Sequence, residues 1–181
     1  MGTAIAVRMT AAEFAALPDD EDVKRELIDG EVCEMAKGGL VHETVKGNIL
    51  LCLAGFVYTS KLKARVQSET GYKLGDHDLF EPDISLVLGE SLDPKGEHKI
   101  SAVPDLAVEV VSSEFAARLN HKVDVLLHTG SKVVMVVYPV ERHIYLHRAH
   151  GVEKLTESQK LEFEDLLPEF SVPVSTIFQG L

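Results

Sequence analysis

The sequence contains only two cysteines, Cys33 and Cys52, and no CxxC pair. Two thiols are too few for a disulfide framework or for a four-cysteine zinc site, because both need several cysteines at fixed spacings. Both side chains are therefore expected to be reduced and mostly buried, as free cysteines usually are.

Long apolar runs are also missing. No stretch approaches the roughly 18 to 20 consecutive apolar residues that a membrane-spanning helix needs. The first residues, MGTAIAVRMTAAEF, show no sustained apolar stretch after a basic head, so they do not resemble a secretory signal. We therefore expect a cytoplasmic protein that does not enter a membrane.

Basic residues are scarce: 18 Lys and Arg stand against 29 Asp and Glu, which gives a formal net charge of −11. Proteins that hold nucleic acid through its phosphates usually present a basic face. The balance argues against tight, non-specific DNA binding and leaves room only for a local basic groove.

What is present suits one soluble globular domain. The chain has 181 residues, of which 45% are apolar and 26% charged. These values are ordinary for a domain with a single sizeable core. We predict one domain over residues 1–181, with a core from about 10 to 178 and no internal repeat.

Local patterns in the first part of the chain predict a short helix, a hairpin and a long helix. Thr10 and Glu13 form a capping-box pattern before a helix that should end ahead of Pro18. The Asp29-Gly30 pair lies between two strand-like runs, as in a tight hairpin. Apolar residues near helical spacing predict a helix over about 40–59.

The second part predicts strands that alternate with one more long helix. Ser112 or Ser113 should cap this helix, which ends at Gly130, and residues 89–102 should form a polar loop. The predicted strands are 82–88, 104–111, the very apolar and central 132–138, and 143–147. This order predicts an α/β (α+β) fold, a mixed β-sheet flanked by helices, rather than a repeated βαβ unit.

Two of these apolar strands contain an acidic residue. Asp83 lies in EPDISLVL and Glu109 in PDLAVEVV, where a carboxylate is costly to bury without a partner. Carboxylates on adjacent strands would form an oxygen-rich site suited to Mg²⁺ or Mn²⁺. Lys122 on the following helix could reach this cluster and steady an attacking hydroxide or the transition state.

An ordered set of motifs carries a resemblance over residues from about 10 to 178. The set comprises ELIDGE at 26–31, His42 at the start of the long helix, Pro82-Asp83, PDLAVEVVSS at 104–113, Lys122, and the strand from Gly130 to Pro139. This order resembles the Uma-type restriction endonuclease family of bacteria, within the PD-(D/E)xK nuclease superfamily. No single motif is specific, but the ordered set is.

The resemblance implies a restriction-endonuclease-like fold and metal-dependent hydrolysis of nucleic acid, with DNA as the expected substrate and Mg²⁺ or Mn²⁺ as the cofactor. Asp83 and Glu109 match the metal-binding acids, and Lys122 matches a catalytic lysine placed on the next helix. Glu26 matches a glutamate that would add a catalytic or metal-binding carboxylate. His42 matches a frequent histidine whose role the resemblance does not assign.

Several positions depart from the family pattern. They are Val111 at the usual lysine position, Ser113 where proline is frequent, Arg118 where an acid is frequent, Val134-Met135 in place of an aromatic pair, and Val137-Tyr138-Pro139 in place of VDP. None removes a proposed ligand. Together they suggest a divergent member in which cutting could have been lost.

Alternative interpretations stay open. Asp83 could cap a turn after proline, Glu26 could lie on the surface, and Glu109 could form a buried structural pair with Lys122. The protein could accordingly be a nuclease-fold binding or assembly module that does not cut, or a metal-dependent hydrolase of a small phosphate ester. A basic groove beside Asp83 would favour the nuclease, and a closed acidic pocket would favour the small-substrate enzyme.

Other acids and histidines have simpler explanations. Asp105 suits a loop edge, and Asp76 and Asp78 around His77 suit turn chemistry. The helix histidines and those of the last hairpin fit exposed positions better than a zinc site; they are His121, His128, His143, His147 and His150. The apolar long helix is a candidate surface for a homodimer.

Overall fold

Four helices and thirteen strands form the part of the chain that the computed structural model describes, which is residues 8–18, 23–35, 38–89, 99–100, 103–112 and 116–181. The helices are α1 (Ala11–Ala15), α2 (Leu40–Ser60), α3 (Ala116–Thr129) and α4 (Val174–Ile177). The strands are β1 (Lys24–Ile28), β2 (Glu31–Met35), β3 (Ala64–Ser68), β4 (Gly71–Lys73), β5 (Leu79–Phe80), β6 (Ile84–Leu88), β7 (Lys99–Ile100), β8 (Leu106–Val110), β9 (Val133–Tyr138), β10 (His143–Arg148), β11 (Gly151–Thr156), β12 (Lys160–Phe163) and β13 (Leu167–Pro173).

The core is organised around a six-stranded sheet in the order β11-β10-β9-β8-β6-β3. Strands β8 and β9 run parallel and the other neighbours run antiparallel, so the sheet is mixed. Every residue of β8 is buried because helices cover both faces. The α2 side holds Leu106, Val108 and Val110, and the α3 side holds Ala107, Val134 and Val136. The predicted mixed sheet with flanking helices is confirmed.

Two further sheets were not predicted from the sequence. A five-stranded sheet, β2-β1-β5-β4-β7, contributes Ile28, Tyr72 and Phe80 to the core on the α3 side. The two-stranded sheet β12–β13 contributes Phe163 and Phe170 to the core on the α2 side. The five-stranded sheet contributes to the functional site, because its strand β1 lies beside α3 and brings Glu26 to Lys122.

Most of the predicted local elements are present. The Thr10 hydroxyl accepts the Glu13 N–H at 3.2 Å, and the Glu13 carboxylate accepts the Thr10 N–H at 2.8 Å, so the capping box forms. Helix α2 covers the predicted range, and Gly130 follows α3 with φ of 124°. Residues 89–102 were predicted to form a loop, but Lys99–Ile100 within this range form β7, which pairs parallel with β4. Residues 90–98, 101–102 and 113–115, including the candidate cap Ser113, lie outside the described residues.

Among the described helices, α2 is long and apolar enough to cross a membrane, judged by length and composition alone. A single helix of this kind is weak evidence of a membrane span. Its apolar run is interrupted by His42, Glu43 and Lys46, which is why the sequence shows no continuous membrane-length run. The buried side chains of α2, Val45 and Ile49 among them, pack on the six-stranded sheet.

The turn between β1 and β2 generates a stability prediction. Asp29 and Gly30 have φ of 51° and 79°, and a Cβ on Gly30 would lie 2.6 Å from Cβ of Arg8. We expect Gly30→Ala to lower the free energy of unfolding by about 1–3 kcal/mol, because it adds a clash to a strained φ. Gly75→Ala is the control, since nothing lies within 4 Å of that Cβ and its φ is not in the left-handed region. Equal losses of unfolding free energy in the two variants, measured by urea unfolding, would contradict this explanation.

Candidate active site

Strands β6 and β8 bring Asp83 and Glu109 together. Ile84 pairs antiparallel with Val108, so the register places the preceding Asp83 across from Glu109. The Val110 N–H donates a hydrogen bond of 2.8 Å to Oδ2 of Asp83 and fixes this carboxylate against the neighbouring strand. Only 5% of Asp83 and 4% of Glu109 is exposed, so two buried acids lie side by side in the sheet.

Lys122 of α3 joins Glu109 to the five-stranded sheet. Its ammonium lies 2.7 Å from Oε1 of Glu109 and 2.9 Å from Oε1 of Glu26 on β1. The same Glu26 oxygen accepts the backbone N–H of Glu81 at 2.7 Å. Both Lys122 and Glu26 are fully buried. One ammonium therefore serves two carboxylates that come from different sheets.

The charges of this cluster do not balance. Burial raises the pKa of Glu109 to about 7, against the opposing charge of Lys122 and with reinforcement from Asp83 and Glu26. Burial also disfavours the Lys122 ammonium, but attraction to Glu109 and Glu26 outweighs it and raises the lysine pKa. A buried site with two carboxylates around one ammonium lacks a positive charge, so an added cation would be favoured there.

Asp83 has cationic neighbours of its own. Burial opposes its ionisation, but a 3.1 Å hydrogen bond from Nε2 of His42 and the charge of Lys24 hold its pKa well below the usual range. The Lys24 ammonium lies 3.5 Å from Oδ1 of Asp83. The hydrogen bond to Asp83 in turn raises the pKa of His42, although burial opposes this. A Cβ on Gly38 would collide with the His42 ring, so this glycine leaves the space that the histidine needs.

Asp83 and Glu109 line a cleft of about 540 Å³ between the N-terminal end of α2 and the β1–β2 hairpin. Its charged lining consists of three potential cations, Lys24, His42 and Lys46, and five acids, Glu43, Glu69, Glu81, Asp83 and Glu109. The cleft is therefore neither a basic groove nor a purely acidic pocket. Lys24 and His42 contact Asp83, whereas Lys46 is paired with Glu43 and Glu69.

The donor set fits a hard divalent cation held by two protein carboxylates. Among the described residues, Oδ1 of Asp83 has only Lys24 at 3.5 Å, and Oε2 of buried Glu26 has no hydrogen-bond partner. The described residues contain no ready group of three or more His, Cys, Asp or Glu side chains that could hold a metal. Mg²⁺ in particular is often held by one or two carboxylates, with water and phosphate oxygens completing its shell.

The structure brings all five sequence-predicted site residues into one cluster, but it does not give them equal access to a bound cation. Asp83, Glu109, Lys122, Glu26 and His42 lie in one cluster, but Lys122 is bound between Glu26 and Glu109. A metal-binding role for Glu26 therefore stays a prediction, and its observed contact is with the lysine.

Asp105 lies outside the cluster. It accepts the Leu88 N–H at 2.8 Å and pairs with Lys132 at 3.0 Å, as expected at a loop edge.

Sequence reasoning missed Lys24 and Lys46. Lys24 precedes Glu26 by two residues, so the alternation of side chains along β1 was the only signal that placed it on the same side. Lys46 lies one helical turn after His42 and is held by Glu43 at 2.7 Å and Glu69 at 2.8 Å. The Lys24–Asp83 and Lys46–Glu69 contacts cannot be read from the local sequence, because these acids are remote from the lysines along the chain.

A mixed sheet flanked by helices, with two buried acids on adjacent strands at a cleft and a buried lysine bound to one of them, is the arrangement expected of a restriction-endonuclease-like nuclease. A family model described as "Uma2: Putative restriction endonuclease" matches residues 11–175. The chain therefore belongs to the Uma2 family, and the resemblance seen in the sequence is confirmed.

A solved structure from Anabaena variabilis, described as a "putative nuclease", has the same fold. The two structures superpose with a TM-score of 0.84 over 94% of this chain and 97% of that chain, at 20% sequence identity. No curated protein matches the chain. The restriction-endonuclease-like fold class is thus confirmed.

The raised pKa of Glu109 predicts a pH dependence of stability in the absence of metal. Its folded-state pKa of about 7 exceeds the ordinary 4.5, so the stability that its proton contributes is present below about pH 4.5 and is lost as the pH rises through about 7. We expect Glu109→Gln, which stays neutral, to show a smaller decline over this window in urea unfolding with a chelator. Exposed Glu69→Gln is the control and should keep the wild-type slope; an unchanged slope in Glu109→Gln would contradict the assignment.

Proposed function

We propose that this protein is a Mg²⁺- or Mn²⁺-dependent nuclease that hydrolyses phosphodiester bonds in DNA. The observation that carries the proposal is the buried pair of Asp83 and Glu109 on adjacent strands, with Lys122 bound to Glu109 and the pair open to a cleft. Family membership supports the nuclease class. The metal and the substrate are inferred from the chemistry of the site.

Each residue has a role that follows from its contacts. Asp83 and Glu109 would hold the cation, which when bound polarises a phosphate and makes a water molecule more acidic. Lys122, fixed by Glu26, would stabilise negative charge on the attacking water and on the phosphate. His42 keeps Asp83 ionised and oriented through their hydrogen bond. A further metal contact from Glu26 remains part of the proposal.

The cleft walls suggest how a phosphate backbone is held. Lys24 contacts Asp83 and Lys46 lines the same cleft, so each could contact a phosphate next to the one that is cut. The acids of the same cleft and the net charge of −11 limit affinity for nucleic acid in general. We therefore expect weak, salt-sensitive binding to DNA and cutting that depends on the local cations.

Isosteric variants test the metal site and the reaction together. We expect the wild type to bind Mn²⁺ by calorimetry and to cut DNA with Mn²⁺ or Mg²⁺. Asp83→Asn and Glu109→Gln should each lower both quantities by roughly a hundred-fold or more, because each removes a ligand charge. Glu69→Gln on the same cleft wall removes an equal charge and should leave Mn²⁺ binding within about two-fold of the wild type.

The possible results separate the alternatives. Metal binding that is lost in both variants, with cleavage of bis(p-nitrophenyl) phosphate but not of DNA, would favour a small-ester hydrolase. Absent metal binding with unaltered stability would leave a binding or assembly module, and Glu109 and Lys122 as a structural pair. Retained Mn²⁺ binding in both variants contradicts the proposed ligands.

We also propose that the exposed face of α2 forms a homodimer. Leu51 and Tyr58 are 74% and 88% exposed, and small residues at Gly47 and Gly55 flank Leu51 at equal distance along the helix. A two-fold axis at Leu51 would pack each Gly47 against the partner's Gly55, so two antiparallel helices could approach closely. This surface is the apolar helix that the sequence indicated.

Oligomeric state in solution tests the helix surface. We expect Leu51→Glu to convert a dimer into a monomer, because it buries two like charges beside each other at the two-fold axis. Val140→Glu is the matched control, since Val140 is 87% exposed on the β9–β10 turn. Analytical ultracentrifugation that shows a wild-type monomer, or an intact Leu51→Glu dimer, would rule out this interface.

A further inference from the structure

Four aromatic side chains form a continuous row on strands β9 and β10, here called the ring row: Tyr138, His143, Tyr145 and His147. Tyr138 stacks on His143 with ring centroids 4.9 Å apart and an interplanar angle of 29°. Tyr145 follows at 5.1 Å from His143, and His147 at 6.2 Å from Tyr145. All four side chains are partly exposed, so ring surface remains accessible to solvent.

The ring row lies on the α3 side of its strands, where Tyr138 and Tyr145 pack at the margin of the core, and Ile144 and Leu146 point to the α2-side core. Ile144 and Leu146 alternate with the rings and are buried, so they anchor the strand in the core. The ammonium of Lys154, from β11, lies 5.6 Å from the centre of the Tyr145 ring. The row therefore combines accessible π faces with a nearby cation.

The row begins at the edge of the sheet where the cleft opens. Val110 pairs with Val137, so Tyr138 lies beside Val111, and Ser112 next to it lines the cleft. Glu109 pairs with Val136, which places Glu109 and Tyr138 on the same face of the sheet. Strand spacings put their Cα atoms roughly 8 Å apart.

We propose that the ring row is a stacking surface for unpaired bases, so that the substrate of the cleft includes a single-stranded segment of nucleic acid. The proposal rests on the proposed function, since it assumes a nucleic-acid substrate at Asp83 and Glu109. Bases stack on tyrosine and histidine through their π faces, and this contact tolerates any sequence. Lys154 supplies one charge for the backbone that connects such bases.

Stacking rather than charge must provide most of this affinity. Burial, together with neighbouring Tyr145 and Glu141, raises the pKa of Tyr138, so its phenol stays neutral and has a carboxylate close by. A duplex keeps its bases paired and stacked, so it offers this row no free base face. The row therefore favours unpaired nucleotides over duplex DNA, in a protein whose net charge of −11 disfavours phosphate binding elsewhere.

Fluorescence anisotropy with a chelator present measures this binding without cutting. The probes are a labelled single-stranded oligonucleotide, its duplex and an abasic strand of equal length. We expect the single strand to bind about ten-fold more tightly than either of the others. Tyr138→Leu and Tyr145→Leu should each weaken single-strand binding by about ten-fold, and Tyr145→Phe should preserve it, because phenylalanine keeps the ring.

The controls separate this inference from the proposed function and from simple destabilisation. Leu17→Ala removes an apolar side chain that is 37% exposed after α1 and should leave binding unchanged. Asp83→Asn and Glu109→Gln should abolish cutting and leave base-dependent binding intact, so either proposal can fail alone. Melting temperatures identify any variant whose loss of binding only reflects unfolding.

Photo-crosslinking of a 5-iodouracil strand to the wild-type protein maps the contact without any variant. Trypsin would release Tyr138 within Val133–Arg142 and the other three rings within His143–Arg148. We expect crosslinks in these two peptides and not in Gly47–Lys61, which carries Tyr58. Equal binding of the abasic strand, or crosslinks confined to other peptides, would overturn the proposal and leave the rings as cross-strand packing of the hairpin.

Discussion

The buried ammonium of Lys122 holds three elements of the fold together. Helix α3 provides the lysine, β1 of the five-stranded sheet provides Glu26, and β8 of the six-stranded sheet provides Glu109. Removing one partner from a buried ion pair typically costs about 3–5 kcal/mol, because the other charge is left uncompensated. The relative placement of both sheets and α3 therefore depends on this contact, and so does the geometry of the cleft beside it.

The contacts of Lys122 also argue against a purely structural role for the cluster. A structural pair needs one acid for each base, whereas Lys122 serves two carboxylates and Asp83 lies next to them. Burial, reinforced by the charges of Asp83 and Glu26, raises the pKa of Glu109, and strongly perturbed carboxyl groups of this kind cluster at functional sites. His42 and Lys24 balance Asp83 from the cleft side, where a phosphate and a cation would also enter. The same charged side chains therefore hold the fold together and would carry out the proposed chemistry.

The sequence predicted the strands and helices that have a clear period or clear end signals. It found Asp83 and Glu109 because each is an acid inside an apolar strand, and Lys122 because it lies on the next helix. It did not predict the five-stranded sheet, since β4, β5 and β7 have only two or three residues each and show no measurable alternation. Lys24 and Lys46 were missed because Asp83 and Glu69 are brought to them only by the folded chain.

By itself the sequence determined the local elements, the mixed sheet and the acids that need a partner, because periodicity and burial cost act over a few neighbouring residues. Only the tertiary structure decided which partner each acid receives. Glu26 and Lys122 are 96 residues apart and meet because two sheets pack against α3. The row of rings next to the cleft arises in the same way, from strand register between β8, β9 and β10. Such contacts depend on long-range packing, which no local pattern in the chain specifies.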